Sequence, residues 1–145
     1  MLPEEKLRQL GFELPSVPTP IANFVNYRLV GGMLYLSGQG PRQSDGKLLQ
    51  GKLGRDLTTE EGYLHARQAG LNLLAVAREA LGGLERIDCV VKLLGMVNAD
   101  PNFADHPKVI NGCSDLFVET FGRERGGHAR SAVGFSSLPG NISVE

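Results

Sequence analysis

Two short apolar runs, Tyr27-Arg28-Leu29-Val30 and Met33-Leu34-Tyr35-Leu36-Ser37, flank Gly31-Gly32. This pattern predicts a β-hairpin, because glycine supplies the positive φ that a two-residue turn needs. From Thr58 the period changes to that of a helix. Gly62, Ala66, Ala69, Gly70, Leu73, Ala77 and Ala80 form a stripe of small residues that can lie close on a sheet, and Leu64, Leu71, Leu74 and Leu81 widen it. Thr58-Thr59-Glu60-Glu61 is a capping box at its start, and Gly82-Gly83 ends it after Leu81.

Ile87 to Val97 is nearly apolar on both faces and predicts a central strand covered on both sides. Helices can cover one side. The chain has no second helical layer for the other, which leaves that side to other subunits. Asn98-Ala99-Asp100-Pro101 breaks the run. Pro107 to Phe121 then carries the helical stripe Val109, Ile110, Cys113, Leu116, Phe117 and Phe121, with Gly122 as its stop. A glycine-rich stretch, 122–127, leads into His128 to Glu145, which reads as two short strands joined by Pro139-Gly140.

The remaining segments are connections. Pro3 to Leu10 can form a short helix stopped by Gly11, and 14–20, with three prolines, runs extended. Arg42 to Asp56 reads as a loop. The order is β-β-α-β-α-β-β, an α+β arrangement of one sheet and two helices in a single domain, 1–145. Residues 1–20 are a leader and 21–145 the core.

The formal net charge of −1 supplies no field for a polyanion, and no basic run interleaves with aromatics. Nucleic acid is therefore not the expected partner. No segment approaches the roughly 18 apolar residues of a membrane helix. The N-terminal residues are unlike a secretory signal. Cys89 and Cys113 match no metal spacing and read as reduced thiols in a cytoplasmic protein. His65, His106 and His128 are far apart in sequence with no ligand pattern, so no metal is expected.

The final segment carries the candidate chemistry. In an antiparallel hairpin, Arg130 at its opening and Glu145 at its close fall at the same end. An arginine fork that holds a carboxylate, beside a carboxylate that handles water, is a compact hydrolytic pair. A turn centred on Pro139-Gly140 would offset the two by up to roughly four residues, about 13 Å along a strand. Arg130, Ala132, Gly134 and Ser136 share one face, and its small residues leave room for a ligand. The plainer readings are a surface arginine and an exposed terminal charge. Ser37-Gly38-Gln39-Gly40 puts a hydroxyl and bare backbone at a strand end, where a ligand can approach or where a loop simply begins. Asn111, beside the second apolar stripe, is either a solvated helical residue or part of a site.

Val30-Gly31-Gly32-Met33-Leu34-Tyr35-Leu36-Ser37-Gly38-Gln39-Gly40-Pro41, the helix with Ala66-Arg67-Gln68-Ala69-Gly70-Leu71-Asn72-Leu73-Leu74, and Ala129-Arg130-Ser131-Ala132-Val133 recur in order in a known family. The chain resembles the YjgF/RidA superfamily of reactive-intermediate deaminases, many of them labelled L-PSP endoribonuclease, and specifically a longer subgroup of it. The resemblance covers about Ile21 to Glu145.

It implies a chorismate-mutase-like fold of the bacillus type, with two helices on one face of a mixed sheet. It also implies a homotrimer with its sites between subunits. By its motif, Arg130 binds a substrate carboxylate and Glu145 positions or activates water. Asn111, Ser37 and Gly38 line the pocket, and neither cofactor nor metal is implied. Phe24 falls where the family usually has a tyrosine, and Ala132 where a cysteine is common. Gly127-His128 replaces the usual Thr/Phe-Pro lead into the arginine.

The implied activity is hydrolysis of small enamine or imine acids, of the 2-aminoacrylate type, to 2-oxo acids and ammonia. The enzyme would be a hydrolase acting on C=N bonds. The alternatives are a non-catalytic trimer that binds small carboxylates, and an endoribonuclease acting as a translation inhibitor.

Overall fold

The computed structural model describes residues 1–145. Helix α1 spans Pro3–Gln9, and the hairpin strands β1 and β2 span Tyr27–Val30 and Met33–Leu36. The long helices α2 and α3 are Thr59–Leu81 and His106–Gly126, and strands β3 and β4 are Lys92–Asn98 and Ala129–Phe135. Thr58 caps α2 as its sequence predicts: its Oγ1 accepts from the Glu61 N–H at 3.2 Å, and its own N–H donates back to Glu61 Oε1 at 3.1 Å. Gly82 closes the helix at φ 82°, a left-handed conformation that glycine adopts without strain. Gly122 breaks the helical path of α3 (φ 83°, ψ 163°), so the regular helix stops where the sequence places its end.

The two long helices pack against each other through glycines. A side-chain carbon at Gly112 would fall on the backbone carbonyl of Tyr63, and one at Gly70 would meet Cys113 Sγ and Leu116 Cδ2 at 3.0 Å. Both glycines are buried. Leu93, Gly95 and Val97 of β3 turn toward the helices, with Ile110 against Gly95. Leu7 of α1 joins the same core.

The strand arrangement corrects two expectations. The final hairpin does not form. Instead β3, α3 and β4 make a crossover unit, so β4 runs parallel to β3 with Arg130 beside Leu93 and Val133 beside Met96. A single helical turn at Pro139–Asn141 then carries the chain to the other edge of β3. There Val144 bridges Val97 in antiparallel sense, while the Ser143 N–H donates to Leu49 O at 3.2 Å and the Gly51 N–H to Asn141 O at 3.0 Å.

The continuous mixed sheet is likewise replaced by two two-stranded sheets, β1-β2 and β3-β4, joined to their surroundings by isolated bridges. The regular strand also begins at Lys92 rather than Ile87. It is covered on one face only. Val91, Leu94, Val133 and Phe135 are exposed apolar residues of the β3-β4 unit.

Candidate functional site

Arg130 enters β4 on the face that looks toward α3. The small face it shares with Ala132 and Gly134 serves helix packing. Ala132 packs on the core, and the His106 ring lies against Gly134, its Cδ2 3.0 Å from where a side-chain carbon would stand. This corrects the expectation that those small residues leave room for a ligand. Arg130 itself is half-buried and reaches α3, where Nη1 donates to Asn111 Oδ1 at 2.7 Å and to Ser114 Oγ at 3.2 Å. Asn111 is thus part of a polar cluster rather than a solvated helix residue.

Two members of this cluster were not singled out from the sequence. Ser114 lies three residues after Asn111, on the same helical face. Its hydroxyl is 2.9 Å from His128 Nε2, and His128 Nδ1 is 2.7 Å from Gly126 O. The i,i+3 spacing of Asn111 and Ser114 was the available signal. For His128 there was none beyond its position two residues before Arg130.

Cys113, between these residues on α3, is buried. Removal from water pushes its thiol up to about 12, against the opposing pull of the Arg130 charge. A thiol so held is a packing group, not a nucleophile.

Glu145 stands on the other flank of β3. Its backbone is bonded twice to Met96, and its carboxylate lies against Gly38, where a side-chain carbon would sit 2.9 Å from Glu145 Cδ. Ser37 precedes Gly38, its N–H donating to Asn26 O at 2.9 Å and its hydroxyl to Val25 O at 2.5 Å. Phe24 is the neighbour of Val25 and is exposed. The predicted residues therefore assemble into two groups. Asn111, Arg130 and Ala132 lie on the α3 side of β4, and Phe24, Ser37, Gly38 and Glu145 lie beyond the opposite edge of β3.

Arg130 and Glu145 are not a pair within the chain. They sit two strand spacings apart, about 10 Å, and about 10 Å apart along the strand direction. The cause is the β3-α3-β4 crossover, which puts the arginine on one edge of β3 before the C-terminal segment crosses to the other.

The family model described as "YjgF/chorismate_mutase-like, putative endoribonuclease" matches residues 4–143. The chain belongs to the YjgF/RidA superfamily. Its fold is accordingly the chorismate-mutase-like α+β fold of that superfamily, here with three α-helices. Among solved structures, a Shewanella oneidensis protein under the same endoribonuclease description superimposes with a TM-score of 0.95 at 40% identity. That match covers 99% of this chain and 95% of the other. Protein TCP17 of Trypanosoma cruzi is 42% identical over 139 residues, covering 96% of this chain and 87% of its own length. A 2-iminobutanoate/2-iminopropanoate deaminase of Dermatophagoides farinae is 33% identical over 132 residues, covering 90% and 87% respectively. The relatives thus include deaminase-named and endoribonuclease-named proteins. No helix is long and apolar enough to cross a membrane.

Proposed function

We propose that this protein hydrolyses small imine or enamine acids, of the 2-aminoacrylate type, to 2-oxo acids and ammonia. The observation that carries this reading is Arg130. Its Nη1 is tied to Asn111 and Ser114, while Nε and Nη2 make no protein hydrogen bond, which suits a substrate carboxylate. An enamine substrate first shifts a proton from nitrogen to its terminal carbon and becomes the imine. The oxygen of a water then adds to the imine carbon while Glu145 takes a proton from that water and passes it to the nitrogen. The carbinolamine collapses, its hydroxyl proton moving to the departing nitrogen, so that the C–N bond breaks, the C=O of the 2-oxo acid forms and ammonia leaves. Arg130 fixes the acid end so that the imine carbon is presented to the water.

The working unit in this reading is a homotrimer. Its support is the separation of the two residue groups within one protomer, together with the exposed apolar residues Val91, Leu94, Val133 and Phe135. Packing the Arg130 flank of one copy against the Glu145 flank of another would complete a site that neither holds alone. Serine and glycine at 37–38 and the Phe24 ring would line it. The cytoplasm is the compartment that fits the free Cys89 and Cys113.

The deaminase-named relative supports this reaction over RNA cleavage, as does a net charge of −1. Phe24, which lacks a hydroxyl, favours carboxylate binding without turnover as the second reading.

The deciding experiment measures ammonia and 2-oxo acid release from freshly generated 2-aminoacrylate, with wild type beside Arg130→Ala. Acceleration by wild type and none by the variant is the expected result. Full turnover by Arg130→Ala would remove the arginine from the mechanism. A folded wild type that binds pyruvate without accelerating the reaction would establish the second reading.

A further inference from the structure

We infer that Ser114 and His128 are positioning residues that orient Arg130 so that it meets a carboxylate by one edge only, Nε–Nη2. The inference rests on the reading of Arg130 as the carboxylate clamp and adds what holds the clamp in place. A guanidinium has five N–H donors, two of them on Nη1. Both Nη1 protons have acceptors here, Asn111 Oδ1 at 2.7 Å and Ser114 Oγ at 3.2 Å. The end-on fork formed by Nη1 and Nη2 is thereby used up. What remains is Nε–H with the Nη2 protons, a side-on fork whose spacing matches the two oxygens of a carboxylate.

The direction of each bond behind Arg130 follows from donor and acceptor capacity. His128 Nδ1 is 2.7 Å from Gly126 O, and a carbonyl oxygen can only accept. Nδ1 therefore carries the ring proton, and in the neutral imidazole Nε2 is an acceptor. Ser114 Oγ, 2.9 Å from Nε2, must then donate its hydroxyl proton there, which turns its lone pairs toward Arg130. The chain runs from Arg130 to Ser114, to His128, to the Gly126 carbonyl, and every link joins one donor to one acceptor. Such chains polarise in one sense and hold their members in one geometry.

The far end of this chain is anchored by packing. The His128 ring stands edge-on to Phe117, with centroids 5.9 Å apart at 74°. Gly126 is buried, and a side-chain carbon there would be 2.5 Å from Phe117 O. Only glycine lets the chain pass this point and aim its carbonyl at Nδ1. All four groups belong to α3 and its exit into β4, so the clamp is built within one continuous stretch of chain.

The test combines kinetics with nitrogen NMR of the ring. Ser114→Ala and His128→Leu are each expected to raise KM about tenfold with kcat little changed, the loss of one hydrogen bond to a charged group. Ser114→Thr, which keeps the hydroxyl, is expected to stay near wild type. Long-range nitrogen–proton correlation on the unliganded wild type is expected to show His128 as the Nδ1–H tautomer that the bond to the Gly126 carbonyl requires, while the rise in KM at unchanged kcat is the readout that a merely structural role would not move. An Nε2–H tautomer would overturn the inference. An inactive Arg130→Ala alongside wild-type KM in both variants would overturn it while leaving the deaminase reading in place. Full turnover by Arg130→Ala would overturn the clamp and this inference together.

Discussion

Glu145 and Met96 exchange both backbone hydrogen bonds, the Glu145 N–H donating at 2.9 Å and the Met96 N–H at 2.8 Å. Glu145 is thereby fixed to the edge of β3. The pairing sets the direction of the side chain, and the carboxylate comes to rest over Gly38 because no side chain there keeps it away.

That contact lets experiment separate Glu145, the proposed water-handling group, from Arg130, the proposed acid-binding one. Gly38→Ala would place a carbon 2.9 Å from Glu145 Cδ. It is expected to displace the carboxylate, lower kcat and, since Gly38 lines the proposed site, weaken pyruvate binding as well. Glu145→Gln is expected to lower kcat by about 10²-fold, the usual contribution of a positioned base. Steady-state ammonia release and a pyruvate titration read both effects. An unchanged kcat in the glutamine variant would exclude Glu145 from the chemistry.

The contact between α2 and α3 depends on Gly112. A methyl group there collides with the Tyr63 carbonyl and comes within 3.0 Å of the Arg67 nitrogen, both of them backbone atoms that cannot rotate away. Gly112→Ala is expected to cost about 1–3 kcal/mol, the range for overpacking a tight interior. Denaturant unfolding measures it, and a variant as stable as wild type would mean that the helices separate without penalty.

Acid should loosen the C-terminal segment through His65. Its ring nitrogen Nδ1 is 2.7 Å from Ser143 Oγ, and burial lowers its pKa below the ordinary 6.5, more than the Glu61 charge raises it. The unfolded chain then binds a proton at a pH where the folded one does not. Stability from this group is present above about pH 6.5 and declines as the pH falls through the lower folded value. The wild type should lose more stability than His65→Gln between pH 7 and pH 5 in thermal unfolding. Parallel curves for the two proteins would contradict this.

The two thiols should differ in reactivity. Cys89 is exposed, whereas Cys113 is buried with its pKa pushed up to about 12. Since the thiolate is the reacting form, iodoacetamide at pH 8 is expected to alkylate Cys89 and spare Cys113 until the protein is unfolded. Peptide mass mapping reads the result, and native labelling of Cys113 would show that α3 opens readily.

The elements that rest on local chemistry were legible in the sequence. Gly31-Gly32 specifies the β1-β2 turn because few other residues take two successive positive φ angles. Thr58 and Glu61 specify the start of α2, and Gly82 its end, through bonds that span three or four residues. Candidate site residues were also named, Arg130, Asn111, Ser37, Gly38 and Glu145, by family resemblance. Strand pairing was not. Pro139-Gly140 makes a turn whichever edge of β3 the chain goes on to join.

Tertiary structure decided that pairing, because α3 must cross over before β4 can lie beside β3, and only the free edge then remains for Ile142 to Glu145. It decided as well that Ser114 meets both Arg130 and His128. Their hydrogen bonds link residues 14 and 16 positions apart in sequence and exist only once α3 lies against β4. Local periodicity reports what each segment can form. Which edges meet depends on the competition among all segments for one buried surface.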